Sequence, residues 1–336
     1  MSYFISCDWG TSRFRLRLVD QERQEVLGEV SSQNGISVLF ERWRQSGLGE
    51  EKRLAFYQAM LEDGIGELQR QMAEPLEDLP LVLSGMASSS LGMMELPYQP
   101  VPFTITGLDL HRVEIAASED FRHSILLVSG VRTDRDVMRG EETQLIGCAA
   151  MANHEHIYLF PGTHSKHVRV KGDRVVDFST FMTGEFFQLL ATKSILATSV
   201  SAEEQPGEES GRLAGNGRAL PPAFEQGVQD SRRSSLLHSA FFVRTNQLLA
   251  NCSKEDNYYY LSGLLIGEEL KQLAGVGGAL TIVGAGRMKE YYPAACRQLG
   301  MTGIAVVDAD QALVLGHCRL MAWLGSDGVA RAGDKE

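Results

Sequence analysis

Asp8-Trp9-Gly10-Thr11-Ser12 and, later, Pro161-Gly162-Thr163-His164-Ser165-Lys166 are the stretches on which the reading of this chain turns. Each Gly-Thr follows an apolar run, Phe4-Ile5-Ser6-Cys7 in one case and Ile157-Tyr158-Leu159-Phe160 in the other, and precedes an alternating one. That pattern predicts a hairpin whose tight turn exposes backbone N–H groups. Two such turns facing each other would clamp one polyphosphate. Gly162 follows Gly10 by 152 residues, and at that offset Thr11 matches Thr163 while Leu16-Arg17-Leu18 matches Val168-Arg169-Val170. Asp8 is matched by Phe160, so only the first loop carries a carboxylate. One carboxylate beside a phosphate loop is what a site with a single Mg²⁺ requires, because Mg²⁺ completes its shell with phosphates and water.

Outward from these loops, the first half reads as strands over 3–8, 13–19 and 25–31, a helix over about 51–72, strands over 80–84 and 125–129, and a helix over about 140–152. Residues 95–118, rich in proline and β-formers, read as an inserted substrate-side segment. The second half opens with strands over 156–160, 166–171 and 174–178, followed by helical patterns at about 184–195, 224–250 and 257–274. It closes with strand 279–283, helix 287–299, strand 303–307 and helix 311–324, with Asp310 as N-cap. Residues 201–218 read as a flexible loop or lid edge, and 325–336 as a frayed tail.

The 336 residues exceed one typical core and predict two domains, 1–150 and 151–310, with a helical insertion at about 184–274 and the last helix free to pack back on the first domain. Lysine and arginine number 32 against 43 acids, a net charge of −11, which argues against nucleic acid or an anionic membrane as partner. The five cysteines are scattered and never spaced Cys-x-x-Cys, which predicts neither disulfides nor zinc and suits a reduced cytoplasm. No apolar run reaches the ~20 residues of a membrane span. The acceptor of any chemistry is then a small molecule, with room for a homodimer.

Three further groups carry chemistry. Gly284-Ala285-Gly286 follows an apolar strand and opens a helix, where small residues let a nucleoside approach the backbone. Asp136, Glu141 and Glu142 lie in Val131 to Ile146, the two glutamates in a first helical turn; such carboxylates either serve as ordinary helix-start acids or act as general base for a hydroxyl nucleophile. Arg132 and Arg139 accompany them, and Ser84-Gly85-Met86 with Ser88 ends a strand at the same sheet edge, a set suited to a polyhydroxylated acid or, equally, to surface ion pairs. Asp8 serves either a metal or its own turn; Thr11, Ser12 and Arg15 accompany it. His154-Glu155-His156 reads as a strand-entry loop rather than a metal site, and Tyr258-Tyr259-Tyr260 and Met93-Met94 as packing residues.

Taken together, Asp8 to Ser12, Asp136 to Gln144, Pro161 to Lys166, Met182-Thr183-Gly184-Glu185 and Gly284 to Gly286 resemble the 2-dehydro-3-deoxygalactonokinase family, within the sugar kinase, Hsp70 and actin superfamily. The resemblance implies an α/β fold of two ribonuclease H-like (actin-like ATPase) domains with a nucleotide cleft between them, and phosphoryl transfer from ATP, with Mg²⁺, to O6 of 2-dehydro-3-deoxy-D-galactonate in galactonate breakdown. It implies Gly10, Thr11, Ser12 and Arg15 as the first phosphate loop, Gly162 to Lys166 as the second, and Gly284 to Gly286 as the adenosine loop. Asp8 would serve the metal, and Ser84 to Ser88, Arg132, Arg139 and Thr183 to Glu185 the acceptor. Gly140-Glu141-Glu142-Thr143-Gln144-Leu145-Ile146 is also similar to the Glu-Glu-Ala-Arg-Leu-Ile helix start of exopolyphosphatases, which makes Glu142 the first choice of base, ahead of Asp136 and Glu141. The rival readings are a kinase for gluconate or 2-keto-3-deoxygluconate, an exopolyphosphatase-like hydrolase, and an actin-like or sugar-sensing binding module.

Overall fold

The computed structural model describes residues 3–73, 75–149, 152–201, 220–273, 275, 278–322 and 330–331. Two compact units divide the chain: 1–151 with 173–177 and 310–336, and 152–172 with 178–309.

The first unit opens with β1 (Tyr3–Trp9), β2 (Phe14–Asp20) and β3 (Glu25–Ser32), then α1 (Ile36–Ser46), α2 (Arg53–Gln69) and β4 (Leu81–Gly85). It continues with β5 (Gln99–Pro100), β6 (Phe103–Thr104), β7 (Arg112–Ile115), β8 (Ile125–Val128), β9 (Val131–Arg132), β10 (Val137–Met138) and α3 (Glu141–Cys148). Side chains alternate across β1 as the pleat requires. Ile5, Cys7 and Trp9 enter a core completed by Leu39 of α1 and Tyr57, Leu61 and Leu68 of α2. Burying each large apolar side chain of this kind contributes about 1.5–3 kcal/mol.

The second unit holds β11 (Ala152–Phe160), β12 (Ser165–Gly172) and the end of β13 (Arg174–Phe181), whose residues 174–177 fall in the first unit, then α4 (Thr183–Lys193), α5 (Pro222–Arg233), α6 (Leu236–Ser239), α7 (Phe242–Ala250) and α8 (Lys254–Leu270). β14 (Ala279–Gly284), α9 (Met288–Gln298) and β15 (Ile304–Asp308) complete it, and α10 (Ala309–Met321) and β16 (Ala330–Arg331) return to the first unit. Helix α8 is buried over most of its length because it serves two cores. Ile266 and Leu270 join β11, β14 and α9, while Leu261, Leu264 and Leu265 join α4 and α7.

The two sheets share a plan. In the first, the order β8-β4-β1-β2-β3 has β1 parallel to β4 and antiparallel to β2; in the second, β15-β14-β11-β12-β13 has β11 parallel to β14 and antiparallel to β12. The opposite face of the first sheet carries α10, whose fully buried His317 hydrogen-bonds Ser6 of β1 at 2.7 Å and Ser84 of β4 at 2.9 Å. Burial drives the His317 pKa down to about 3, with Arg17 adding to the shift, so the ring is neutral.

Several expectations are corrected. Within 95–118, β7 is a strand of the main sheet, antiparallel to β8, so the segment is not wholly an insertion. The helix expected over 224–250 is three, broken at Ser234, which is extended, and at Ala240-Phe241. Residues 154–156 lie inside β11 rather than in a loop before it. Helix α1 was not anticipated. Asp310 is inside α10 rather than its N-cap, because its carboxylate is drawn to Arg15 and Arg17. Of the expected loop at 201–218 all but Ser201 lies outside the described residues, as does most of 325–336, but Ala330 and Arg331 pair with Val113 and Glu114 as strand.

Candidate active site

In the first unit the chemistry gathers where the parallel strands end, the edge at which open α/β sheets bind ligands. β1 and β4 stay in register to Trp9 opposite Gly85. Asp8 is one residue short of that edge, and Arg15 donates from Nη2 to its Oδ2 at 3.0 Å. Arg15 also reaches Asp310, so this guanidinium joins two carboxylates. Thr11 and Ser12 form the exposed tip of the β1–β2 turn, closed by Gly10 N–H to Arg13 O at 2.9 Å.

The first turn of α1 braces that tip. Ile36 N–H donates to Gly10 O at 3.0 Å and Ser37 N–H to Thr11 O at 3.1 Å. The approach is so close that a Cβ on Gly35 would sit 2.3 Å from Thr11 O. The backbone N–H groups of Thr11 and Ser12 donate to no group among the described residues.

Gly85, at φ +82°, turns the chain beside Asp8, and Gly140, at φ +111°, brings the start of α3 against Gly85 Cα. Glu142 is fully buried there, its two oxygens accepting from Gly140 N–H at 2.9 and 2.7 Å and one of them from Thr143 Oγ1 at 3.2 Å. Burial, then the neighbouring Glu141, pushes its pKa up to about 8, against the pull of backbone N–H groups and Arg139. Glu141 accepts from Arg139 N–H at 3.1 Å. Asp136, in the β9–β10 turn, accepts from Val137 N–H at 3.0 Å, and Arg132 is exposed across that hairpin.

The two serines expected on the acceptor side are bonded within the protein. Ser84 is committed to His317, and Ser88, fully buried, donates to Val128 O at 2.6 Å while Arg139 donates to it. Neither hydroxyl faces outward: strand alternation turns Ser84 toward α10, and Ser88, in the turn after β4, is held inward by Val128 O. Met86, half-buried, opens the turn between them.

The second unit repeats the loop and its brace. Gly162, Thr163 and His164 are exposed, and Glu185 N–H donates to Thr163 O at 3.1 Å. A Cβ on Gly184 would lie 2.7 Å from Gly162 O, so the Thr183–Glu185 helix start belongs to this loop. His164 meets Glu185 at 2.5 Å, and the N–H groups of Thr163 and His164 donate to no group among the described residues. Lys166 is buried, and its ammonium donates to His164 O at 2.8 Å. The Gly284-Ala285-Gly286 turn leaves the same sheet edge, since β11 and β14 are parallel with Leu159 opposite Ile282. Gly286 has φ +51°, and Met288 and Lys289 N–H cap back onto Ala285 and Gly286.

Sequence reasoning missed the carboxylate beneath that loop. Glu269 of α8, 3% exposed, accepts from Tyr292 at 2.7 Å and from Thr183, and pairs with His167 at 2.9 Å. Tyr292 also bonds Ser165 at 2.9 Å. The available signal was a pair of acids, Glu268-Glu269, inside the otherwise apolar stretch Leu264 to Leu270. Among the described residues no group of three or more histidines, cysteines, aspartates or glutamates could hold a metal.

Comparison with known proteins gives one consistent answer. Residues 8–320 match the profile of the 2-keto-3-deoxy-galactonokinase family. The 2-dehydro-3-deoxygalactonokinase of Escherichia coli K12 is 30% identical over 310 residues, 90% of this chain and 92% of that one. A crystal structure from Sinorhizobium meliloti, assigned the same enzyme name, is 33% identical with a TM-score of 0.73, covering 97% of this chain and all of that one. An activator of 2-hydroxyisocaproyl-CoA dehydratase from Clostridium difficile, solved with bound ADPNP, shares the actin-like ATPase fold alone, at 11% identity and TM-score 0.50, covering 98% and 99%.

Proposed function

The chain belongs to the 2-keto-3-deoxy-galactonokinase family, a family of ATP-dependent sugar-acid kinases, and we propose that it transfers the terminal phosphoryl group of ATP to O6 of 2-dehydro-3-deoxy-D-galactonate, yielding the 6-phosphate. The observation that carries this reading is the twice-built loop: a Gly-Thr tip with unengaged N–H groups, braced by a following helix start. Such nests of N–H groups bind phosphate oxygens.

The Gly162–His164 tip holds phosphate and the Gly284–Gly286 turn lies along adenosine. Thr11 and Ser12 add N–H donors at the Asp8 edge. Phosphoryl transfer depends chiefly on such positioning and on charge stabilisation.

The residues fit a divalent cation that takes most of its ligands from phosphate and water: Asp8 is half-buried and stands beside an N–H-lined loop. Mg²⁺ held there would neutralise charge on the transferred group. Glu142 is our choice of proton acceptor for the sugar hydroxyl, since a pKa of about 8 suits a base working near neutrality. Its burial does not exclude it, because catalytic contacts often form only in the substrate complex. Asp136 is the alternative. No helix among the described residues is long and apolar enough to cross a membrane, and no cysteine is in a disulfide, which suits the cytoplasm.

Phosphorus NMR of the full chain with Mg-ATP and the acid tests this. ADP with a sugar 6-phosphate is the expected outcome; inorganic phosphate formed equally well without the acid would make the protein a hydrolase.

A further inference from the structure

Among the described residues the Arg139 guanidinium has no carboxylate within ion-pair distance, although it pulls on the buried Glu142 from further away. Its Nη1 donates to Ser88 O at 2.7 Å and to Ser88 Oγ, and its guanidinium lies over the Tyr98 ring, 4.2 Å from the centroid. Both supports are neutral. Nε is buried without a hydrogen-bond partner, and among the described residues no carboxylate lies within ion-pair distance of the group. Its neighbouring acids are turned elsewhere, Glu141 accepting from the Arg139 backbone N–H and Glu142 from that of Gly140. By contrast Arg15, Arg17, Arg53 and Arg122 all have carboxylate partners.

A half-buried guanidinium without a counter-ion is costly, and a planar one fixed on a ring has little entropy left to lose when an anion arrives. Its place is also defined. Arg139 precedes Gly140, Ser88 lies three residues after Gly85, and those two glycines touch beside Asp8. The group therefore stands within a small molecule's length of the proposed reaction edge.

We propose that Arg139 is the receptor for the carboxylate of the acceptor acid and that Tyr98 is its positioning residue, holding the guanidinium flat for charge-assisted bonding. The proposal rests on the sugar-acid kinase reading. It makes the Tyr98–Arg139–Ser88 mount the element that separates acids from neutral sugars.

The test is steady-state ADP release by the full chain with 2-dehydro-3-deoxy-D-galactonate and with its C1 primary amide. The wild type should prefer the acid by about 100-fold in kcat/KM, which is about 2.7 kcal/mol. Arg139→Met should bring that preference to within a few-fold while leaving KM for ATP within twofold; Arg139→Lys, which keeps charge without the planar fork, should fall between. Tyr98→Leu should raise KM for the acid about tenfold with KM for the amide unmoved, and Tyr98→Phe, which keeps the ring, should restore it. Thermal unfolding of each variant identifies any that fail to fold, and the lysine and phenylalanine variants then carry the decision. An unchanged acid preference in Arg139→Met, or a matching rise in KM for ATP, would overturn the assignment. Absence of ADP release from wild type with the acid would remove the kinase reading as well, whereas release with unaltered discrimination in the variants removes only this proposal.

Discussion

Asp8 and Glu142 are two carboxylates in opposite surroundings. Asp8 is partly exposed and held by Arg15, whereas Glu142 is enclosed and keeps its proton toward neutral pH. Asp8→Asn should lower kcat with Mg-ATP by about 100-fold or more, as loss of a charge-organising group at a phosphoryl centre does; near-normal turnover would remove the metal assignment. For Glu142 the folded pKa of about 8 stands above the ordinary 4.5, so the native state binds the extra proton and its stability falls as pH rises between those values. Glu142→Gln, which keeps an acceptor for Gly140 N–H, should therefore melt progressively higher relative to wild type from pH 5 to pH 8, while losing transfer activity. A melting difference that does not change with pH would contradict the buried, protonated carboxyl, and retained activity in Glu142→Gln alongside loss in Asp136→Asn would move the base to Asp136. The residue types of the site were legible in the sequence, but their exposure was not: Ser84 turns inward by strand alternation, Ser88 by its bond to Val128 O in the turn after β4, and the Lys166 ammonium toward the His164 carbonyl.

At the level of elements, the braces explain both what was readable and what was missed. The strands β1 and β11 declare themselves by apolar runs, β2 and β12 by alternation, and the Gly-Thr turns by their glycines. Helix α1 did not, because its apolar positions Ile36, Leu39 and Trp43 are diluted by charge and it has no side-chain N-cap. Its first N–H groups are satisfied by Gly10 and Thr11 carbonyls 26 residues earlier, a tertiary cap that no local window contains. Gly184 plays the matching part for the second loop. Gly184→Ala would drive a methyl to 2.7 Å from the Gly162 carbonyl, a backbone atom with little freedom to yield. The substitution should cost about 1–3 kcal/mol and raise KM for ATP more than KM for the acid, read by denaturant unfolding and two-substrate kinetics. Equal effects on both KM values would detach the Thr183–Glu185 helix start from the nucleotide loop.

For the whole molecule, the 152-residue offset between the Gly-Thr loops marks a duplication of plan: each unit sets a three-strand meander beside parallel strands and places its loop tip at their common edge. The duplication is unequal, since only the first tip has an aspartate beneath it and only the second has the Glu269–His167–Tyr292 support. On the proposed function, the first loop would serve a metal and the second a nucleotide phosphate, as a phosphoryl transfer requires. The most direct test of that claim is kcat/KM for ADP release, measured by a coupled assay with 2-keto-3-deoxy acids that differ only at C4. The galacto-configured acid should exceed the gluco-configured one, with ADP and sugar phosphate formed one for one; a preference for the gluco acid, or ADP formed at one rate whatever acid is present, would contradict the assignment.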